Sequence, residues 1–303
     1  MKTFKKICKM TQNDVKEYMH AYLASKGYQP ISEDGFLYAK GTVPVLLVAH
    51  MDTVHKETCQ HIFNDNGKLS SPQGIGGDDR CGIYIIMNLV KEFKCSVLLC
   101  EDEEIGGVGA GKFTKSNYVD ELDVNYMLEF DRKGSCDAVY YSCDNKDFKE
   151  FIECASSFKE AYGSFSDISK LMPAAKLAAV NLSCGYYNAH TKDEYVVFDE
   201  MLDTIEEAKS IIKAECEGPF KYIAKQYVSP KSYPQMSFFD TYDSRDKYCP
   251  ERDLELELEV VFETEDGEEC DVIYGNTKAE CWYKFFVCHE EVSMSMVTDY
   301  SWA

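Results

Sequence analysis

Apolar positions along the chain set the first expectations. Val15, Tyr18, Met19, Tyr22 and Leu23 fall at the i, i+3, i+4, i+7 and i+8 spacing of one helix face. Thr11 and Asp14 have the spacing of a capping box, with Asp in place of the usual Glu or Gln, and Gly27 supplies a stop. A helix is therefore expected to open the fold. Phe36–Ala39 reads as a short strand, and Val43–Ala49 is a continuous apolar run of strand length, the pattern of a strand buried on both faces. Cys81–Val90 is too long for a central strand and fits a buried helix. Ser96–Cys100, Tyr126–Phe130 and Val139–Ser142 are further short strand candidates. Phe148, Phe151, Ile152 and Ala155 mark a helix face near 147–158, Ala178–Leu182 reads as a strand, and Phe198, Met201, Leu202, Ile205, Ala208 and Ile212 mark a long helix.

Strands alternating with helices predict an α/β fold, a three-layer sandwich with a mostly parallel central sheet flanked by helices. In such sheets ligands bind beyond the carboxyl ends of the strands, so chemistry is sought in the loops that follow them. The pattern changes near Gly218. Four of the eight prolines (Pro219, Pro230, Pro234 and Pro250) lie in 219–250 among many Tyr and Phe residues, as in a connecting segment. Beyond it, Leu254, Leu256, Leu258 and Val260 alternate with Glu255, Glu257 and Glu259, a strand with one wet face. Glu265–Glu269 reads as a turn and Cys281–Cys288 as an aromatic strand. The expected organisation is a main α/β domain over 1–218, a connecting segment over 219–250 and an acidic β-rich appendage over 251–303.

Composition narrows the partners. The 303 residues include 32 basic and 53 acidic ones, a formal net charge of −21, to which 251–303 contributes 15 acidic against three basic residues. This charge speaks against nucleic acid or an anionic membrane surface as partner. Hydrophobic residues make up 45%, enough for a sizeable core. No apolar run reaches the length of a membrane helix, and no signal-length apolar stretch follows the basic start MKTFKKICKM. Fourteen cysteines without a C-x-x-C pair read as reduced, mostly buried thiols, and the expected location is the cytoplasm.

The loops after the predicted strands carry metal-type ligands: His50-Met51-Asp52-Thr53, then Gly74-Ile-Gly-Gly-Asp78-Asp79-Arg80-Cys81-Gly82, then Glu101-Asp102-Glu103-Glu104-Ile-Gly-Gly107. Glu129-Phe130-Asp131 ends the next strand, and His190 lies in Asn188-Ala-His-Thr-Lys-Asp-Glu194 before the long helix. Each piece has a plain reading by itself: a structural histidine, a helix cap, a solvated charge run. Taken together, neighbouring strand ends would bring Asp52, Asp78, Asp79, Glu103, Glu104 and Asp131 into one crevice, where several would be forced to protonate. Two divalent cations remove that problem, and carboxylate plus imidazole ligation without thiolates suits zinc, with cobalt and manganese also possible.

The segments HMDTV, GGDDRCG, EDEEIGG and NAHTKDEYV resemble, in the same order over about residues 40–215, the motifs of the co-catalytic zinc exopeptidases, a superfamily of tripeptidase-, carboxypeptidase- and aminopeptidase-type enzymes. The resemblance implies that His50 binds one metal with Asp52 orienting it, that Asp78 bridges both metals, and that Glu103 is the general base. It further implies that Asp131 ligates the metal of His50, and that Glu104 and His190 ligate the other. In that family the bond after the bridging aspartate is often cis. Only 58 residues separate Asp131 from His190 (132–189), too few for the lid domain of many relatives. This favours the compact, lidless aminopeptidase-type form. Ser166-Asp167 resembles a Ser/Thr-Asp element near the site in some of those. The implied substrate is a short peptide.

Other readings stay open. The same chemistry serves an N-acyl amino acid deacylase, a carboxypeptidase or a dipeptidase, and a metal-stabilised binding protein without catalysis belongs to a different class. Gly107-Val-Gly-Ala-Gly111 lacks the G-x-G-x-x-G spacing of a dinucleotide loop and follows an acidic run. Ser183 or Cys184 near His190 suggests a nucleophile but fits packing better. Nothing in the sequence fixes the oligomeric state.

Overall fold

The computed structural model describes residues 1–225 and, beyond them, the backbone of strands at 256–264, 267–275 and 297–302. The chain divides into two units, Met1–Tyr227 and Val228–Ala303. The first contains, in order, α1 (Lys2–Ile7), α2 (Gln12–Ser25), β1 (Ile31–Glu33), β2 (Phe36–Ala39), β3 (Val43–His50), β4 (Phe63–Asp65), β5 (Lys68–Ser70), α3 (Gly77–Leu89), β6 (Cys95–Cys100) and α4 (Val108–Phe113). It continues through β7 (Tyr126–Arg132), β8 (Asp137–Val139), α5 (Lys146–Ala155), β9 (Lys159–Ala161), α6 (Asp167–Ala175), β10 (Ala179–Ser183), β11 (Tyr186–Tyr187), β12 (Tyr195–Val197) and α7 (Phe198–Lys213).

The central sheet has the order β1-β2-β6-β3-β7-β10-β8-β9. Its middle, β6-β3-β7-β10, is parallel, and β2 and β8 flank it antiparallel. The apolar run of β3 is buried between these neighbours, as its unbroken hydrophobicity requires. Helix α3 packs on β3 and β7 and against α7, while α4 and α6 pack on each other and on β2, β3, β6 and β10. The mostly parallel, helix-flanked sheet expected from the sequence is thus present. In register, His50 pairs with Cys100, Val48 with Glu129, and Asn181 with Glu129, so four strand ends are level at one edge. A second sheet, β11-β12-β5-β4, is antiparallel throughout.

Local chemistry explains the agreements and the differences. Thr11 caps α2 by a complete box: its N–H donates to Asp14 Oδ2 (3.0 Å), and the Asp14 N–H donates to its hydroxyl (3.2 Å), so aspartate serves in the glutamate's place. That helix does not open the fold, because α1 precedes it and buries Phe4 and Ile7. The strand expected at Val139–Ser142 lies at Asp137–Val139 instead. Ala138 and Val139 pair with Leu182 and Asn181, and the chain turns away at Tyr141, whose φ is 50°. The helix expected near 147–158 ends at Ala155.

The start of the segment expected to connect the domains is tied to the first unit: Phe220 accepts the Ala178 N–H (2.8 Å) and donates its own to Asn125 (2.8 Å). Residues 226–250 lie outside the described residues. The second unit holds β13 (Leu256–Thr264), β14 (Gly267–Gly275) and β15 (Val297–Trp302) in the antiparallel order β14-β13-β15. The period-two alternation of Leu and Glu falls largely on β13. Gly267–Glu269 belong to β14 rather than to the expected turn, of which Glu265 and Asp266 lie outside the described residues. The strand expected at Cys281–Cys288 also lies outside them. Among the described residues no helix is long and apolar enough to cross a membrane, and the described cysteines are all unpaired.

Candidate metal centre

The level strand ends gather the sequence-selected residues. His50 ends β3, Asp78 and Asp79 open α3, Glu103 and Glu104 lie in the turn after β6, and Asp131 is near the end of β7. His190 sits at the tip of the hairpin between β11 and β12, with φ at 65°. His50 Nε2 is 3.0 Å from Asp78 Oδ1 and 3.4 Å from Asp131 Oδ1. His190 Nε2 is 3.3 Å from Asp78 Oδ2 and 3.0 Å from Glu104 Oε2. Two groups that could each hold a metal ion result, His50–Asp78–Asp131 and Asp78–Glu104–His190, the candidate ligand atoms of each within 4.8 Å of one another. Asp78 is common to both. Glu103 and Glu104 lie beyond the end of β6 in a turn closed by the Gly106 and Gly107 N–H groups, which both fold back onto the Glu103 carbonyl (2.8 Å each).

Asp52 organises one side of this cluster. Its carboxylate accepts the backbone N–H of Glu103 at Oδ1 and of Glu104 at Oδ2 (3.0 Å each), and Oδ1 is 3.0 Å from His50 Nδ1. A carboxylate lowered from its ordinary value only accepts, so His50 Nδ1 carries a proton and Nε2 is the nitrogen aimed at Asp78 and Asp131. Asp79 is fully buried and points the other way: Oδ2 accepts the His50 N–H (3.2 Å) and Oδ1 the Gly82 N–H (2.8 Å). The Asp78–Asp79 peptide bond is cis. Gly82 has no alternative, because a Cβ there would stand 2.2 Å from the Phe130 carbonyl and 2.4 Å from Asp79 Oδ2. The buried Arg80 guanidinium donates to the Met51 (2.6 Å), Asp52 (3.3 Å) and Met10 (3.2 Å) carbonyls, tying the loop after β3 to the segment before α2.

Crowded acids show in the electrostatics. Burial, then the Asp78 charge, pushes Asp131 up to about 7. Burial, then the Asp131 charge, pushes Glu103 up to about 9. Burial alone would raise Asp78, but hydrogen bonds to His190 and His50 hold it well below the carboxylate range. Hydrogen bonds to Asp78 and Glu104 carry His190 up to about 11, and although burial opposes it, His50 is raised well above its ordinary value by Asp131, Asp52 and Asp78. In this arrangement imidazolium protons stand where cations would neutralise the acids. Glu104 Oε1 is buried without a hydrogen-bond partner, an acceptor that a cation would satisfy. An all-nitrogen-and-oxygen donor set that shares one carboxylate fits a pair of divalent ions such as zinc.

Further residues complete the surroundings. Asp131 is held by the Tyr186 hydroxyl (3.3 Å at Oδ1) and by Asn181, whose Oδ1 accepts the Asp131 N–H (2.8 Å). The Ser166 hydroxyl donates to the buried Glu129 and lies 3.2 Å from Asp131 Oδ2. Asp167 beside it is fully buried, and both its oxygens lack hydrogen-bond partners. Glu194, fully buried, accepts the Gly76 and Asp78 N–H groups and meets His55. Sequence reasoning assigned none of Glu129, Asn181, Tyr186, Glu194 or His55 a role. Their signal is burial of a polar type, which periodicity does not report. The nucleophile alternative finds Ser183 and Cys184 occupied elsewhere, donating to the Lys133 (2.7 Å) and Leu182 (3.2 Å) carbonyls.

No protein-family model and no curated protein sequence matches the chain. Solved structures do match in fold. The aminopeptidase PepT from Bacillus cereus is 14% identical with a TM-score of 0.59, the match covering 70% of this chain and 96% of that one. A tripeptidase from Staphylococcus aureus is 13% identical with a TM-score of 0.56, covering 70% and 96%. The aminopeptidase APDkam598 from Desulfurococcus kamchatkensis is 14% identical with a TM-score of 0.56, covering 71% and 94%. The chain has the fold of these peptidases, as the resemblance of its motifs implied.

Proposed function

We propose that the first unit is a metal-dependent exopeptidase acting on short peptides, an aminopeptidase first of all, with two divalent ions, zinc by preference. The observation that carries this reading is the pair of ligand sets sharing Asp78, with the Glu103 carboxylate beside them in the same acidic crevice. His50, Asp78 and Asp131 would hold one ion, and Asp78, Glu104 and His190 the other. When bound, such ions polarise a scissile carbonyl and lower the pKa of water.

The chain's own residues supply the rest. Glu103 accepts a proton from the attacking water at its carboxylate and passes it to the departing amine nitrogen. In the metal-free crevice its pKa is raised to about 9; the cations of this reading would bring it down and leave the carboxylate free to take that proton. Asp52 fixes the backbone of both Glu103 and Glu104 and the tautomer of His50, so base and ligands keep their places through turnover. Asn181 and Tyr186 do the same for Asp131.

The test is hydrolysis by the zinc-loaded full chain of di- and tripeptides with free amino termini, beside N-acylated amino acids and carboxyl-blocked peptides. Release of the amino-terminal residue, lost in Glu103→Gln, supports the aminopeptidase. Cleavage of the N-acylated compounds alone would replace it with the deacylase. A protein that holds zinc and cleaves no amide would refute the enzyme reading in favour of a binding protein.

A further inference from the structure

Asp78 and His190 arrive at the site on separate supersecondary elements, and both must keep a fixed distance to serve one metal. Asp78 lies in the glycine-flanked entry to α3, where Gly74 and Gly76 have positive φ (86° and 65°). His190 is at the exposed tip of the β11–β12 hairpin, its side chain 57% accessible. One side chain joins the two. Glu194 stands where that hairpin returns to β12, and it is fully buried. Its Oε2 accepts the Gly76 N–H and its Oε1 the Asp78 N–H (2.8 and 2.9 Å). The remaining contact of Oε2 is His55 Nε2 at 2.8 Å, and the His55 ring closes over Gly74, where a Cβ would stand 2.1 Å from it.

We infer that Glu194 is a positioning residue for the metal pair: it binds the hairpin that carries His190 to the backbone of the shared ligand Asp78 and so sets the spacing of the two. This rests on the metal-dependent reading above. A carboxylate suits the task because it accepts with both oxygens from two backbone donors that point the same way. A glutamine cannot do this. Whichever way its amide is turned, an N–H₂ faces a backbone N–H, and one of the two bonds is lost while volume and length are kept. Partners of this kind behind metal ligands contribute about 10–100-fold to metal affinity. Because Asp78 belongs to both ligand sets, the effect falls on both ions. His55 is the control: His55→Ala removes a contact to Glu194 and leaves both backbone bonds in place.

The experiment is zinc affinity and stoichiometry, by competition with a chromophoric chelator, for the wild-type full chain, Glu194→Gln, Glu194→Ala and His55→Ala, with thermal unfolding of each metal-free form. The expected result is a loss of about 10–100-fold in zinc affinity for Glu194→Gln, with its metal-free form unfolding near the wild type, and little change for His55→Ala. Glu194→Gln that binds zinc as the wild type does overturns the inference and leaves the metal reading standing. So does a lower unfolding temperature with unchanged zinc affinity, the mark of a purely structural buried residue. An equal zinc loss in His55→Ala overturns the assignment to the two backbone bonds. Glu194→Gln decides the matter where Glu194→Ala fails to fold. A wild type that takes up no zinc overturns the metal reading and this inference with it.

Discussion

Replacing Asp52 by alanine removes three hydrogen-bond partners at once. The His50 Nδ1 proton, in a ring only 1% accessible, is left without an acceptor, and the half-buried N–H groups of Glu103 and Glu104 lose theirs. A buried donor left unpaired costs about 1–3 kcal/mol, and a half-buried backbone bond about 0.5–1.5 kcal/mol. One of the first kind and two of the second give roughly 2–6 kcal/mol. For a unit of this size that corresponds to a fall in Tm of roughly 5–20 °C. Asp52→Asn keeps one good acceptor and should fall between the two. The sign with pH follows from the lowered Asp52 value: its contribution is present above the unfolded value of about 3.9 and is lost as pH falls through the folded one. The Tm difference between wild type and Asp52→Ala should therefore be full at neutral pH and shrink below about pH 4. Thermal unfolding followed by circular dichroism measures it. Tm values within about 2 °C of each other at pH 7, with equal zinc affinity, would refute the role given to Asp52.

Glu103→Gln should abolish peptide hydrolysis while zinc content stays near that of the wild type; loss of both together would make Glu103 a ligand instead of the base. Gly82→Ala forces a Cβ to 2.2 Å from the Phe130 carbonyl and against Asp79, and should cost about 1–3 kcal/mol or more and weaken zinc binding through Asp131 and His50; chemical denaturation checks it. Zinc binding near pH 7 should release protons, since His190 (about 11) and His50 must give theirs up; calorimetry in buffers of different ionisation heat reads this, and a heat independent of buffer would contradict it. Without metal, the raised values of Asp131 (about 7), Glu103 (about 9) and His190 (about 11) stabilise most at acid pH, so stability should decline as pH rises through them, and zinc should flatten the decline.

How much was legible in the sequence varied with the kind of signal. Strands buried on both faces announce themselves as apolar runs, so β2, β3, β6, β7 and β10 were placed nearly to the residue, and α2 and α7 declared themselves by period. The candidate ligands were visible because several acids after successive strands crowd one crevice. Short elements were not visible: β4 and β5 have mostly accessible residues, and α4 and α6, though they bury Phe113 and Leu171, are glycine-rich or interrupted by Pro173. Within Asp78-Asp79 the sequence offers two equivalent carboxylates, and only the fold turns one toward the imidazoles and buries the other against backbone N–H groups. Glu194 carries no such signal, standing in Lys-Asp-Glu beside a strand only three residues long.

The shared role of Asp78 is the centre of this account, and metal content tests it most directly. Elemental analysis of the purified full chain, after zinc is supplied and excess removed, should find about two divalent ions per chain in the wild type. In Asp78→Ala, folded by circular dichroism, nearly all of that metal should be gone, because both ligand sets lose a member. A wild type without bound metal, or an Asp78→Ala variant that keeps its full complement, would contradict the account.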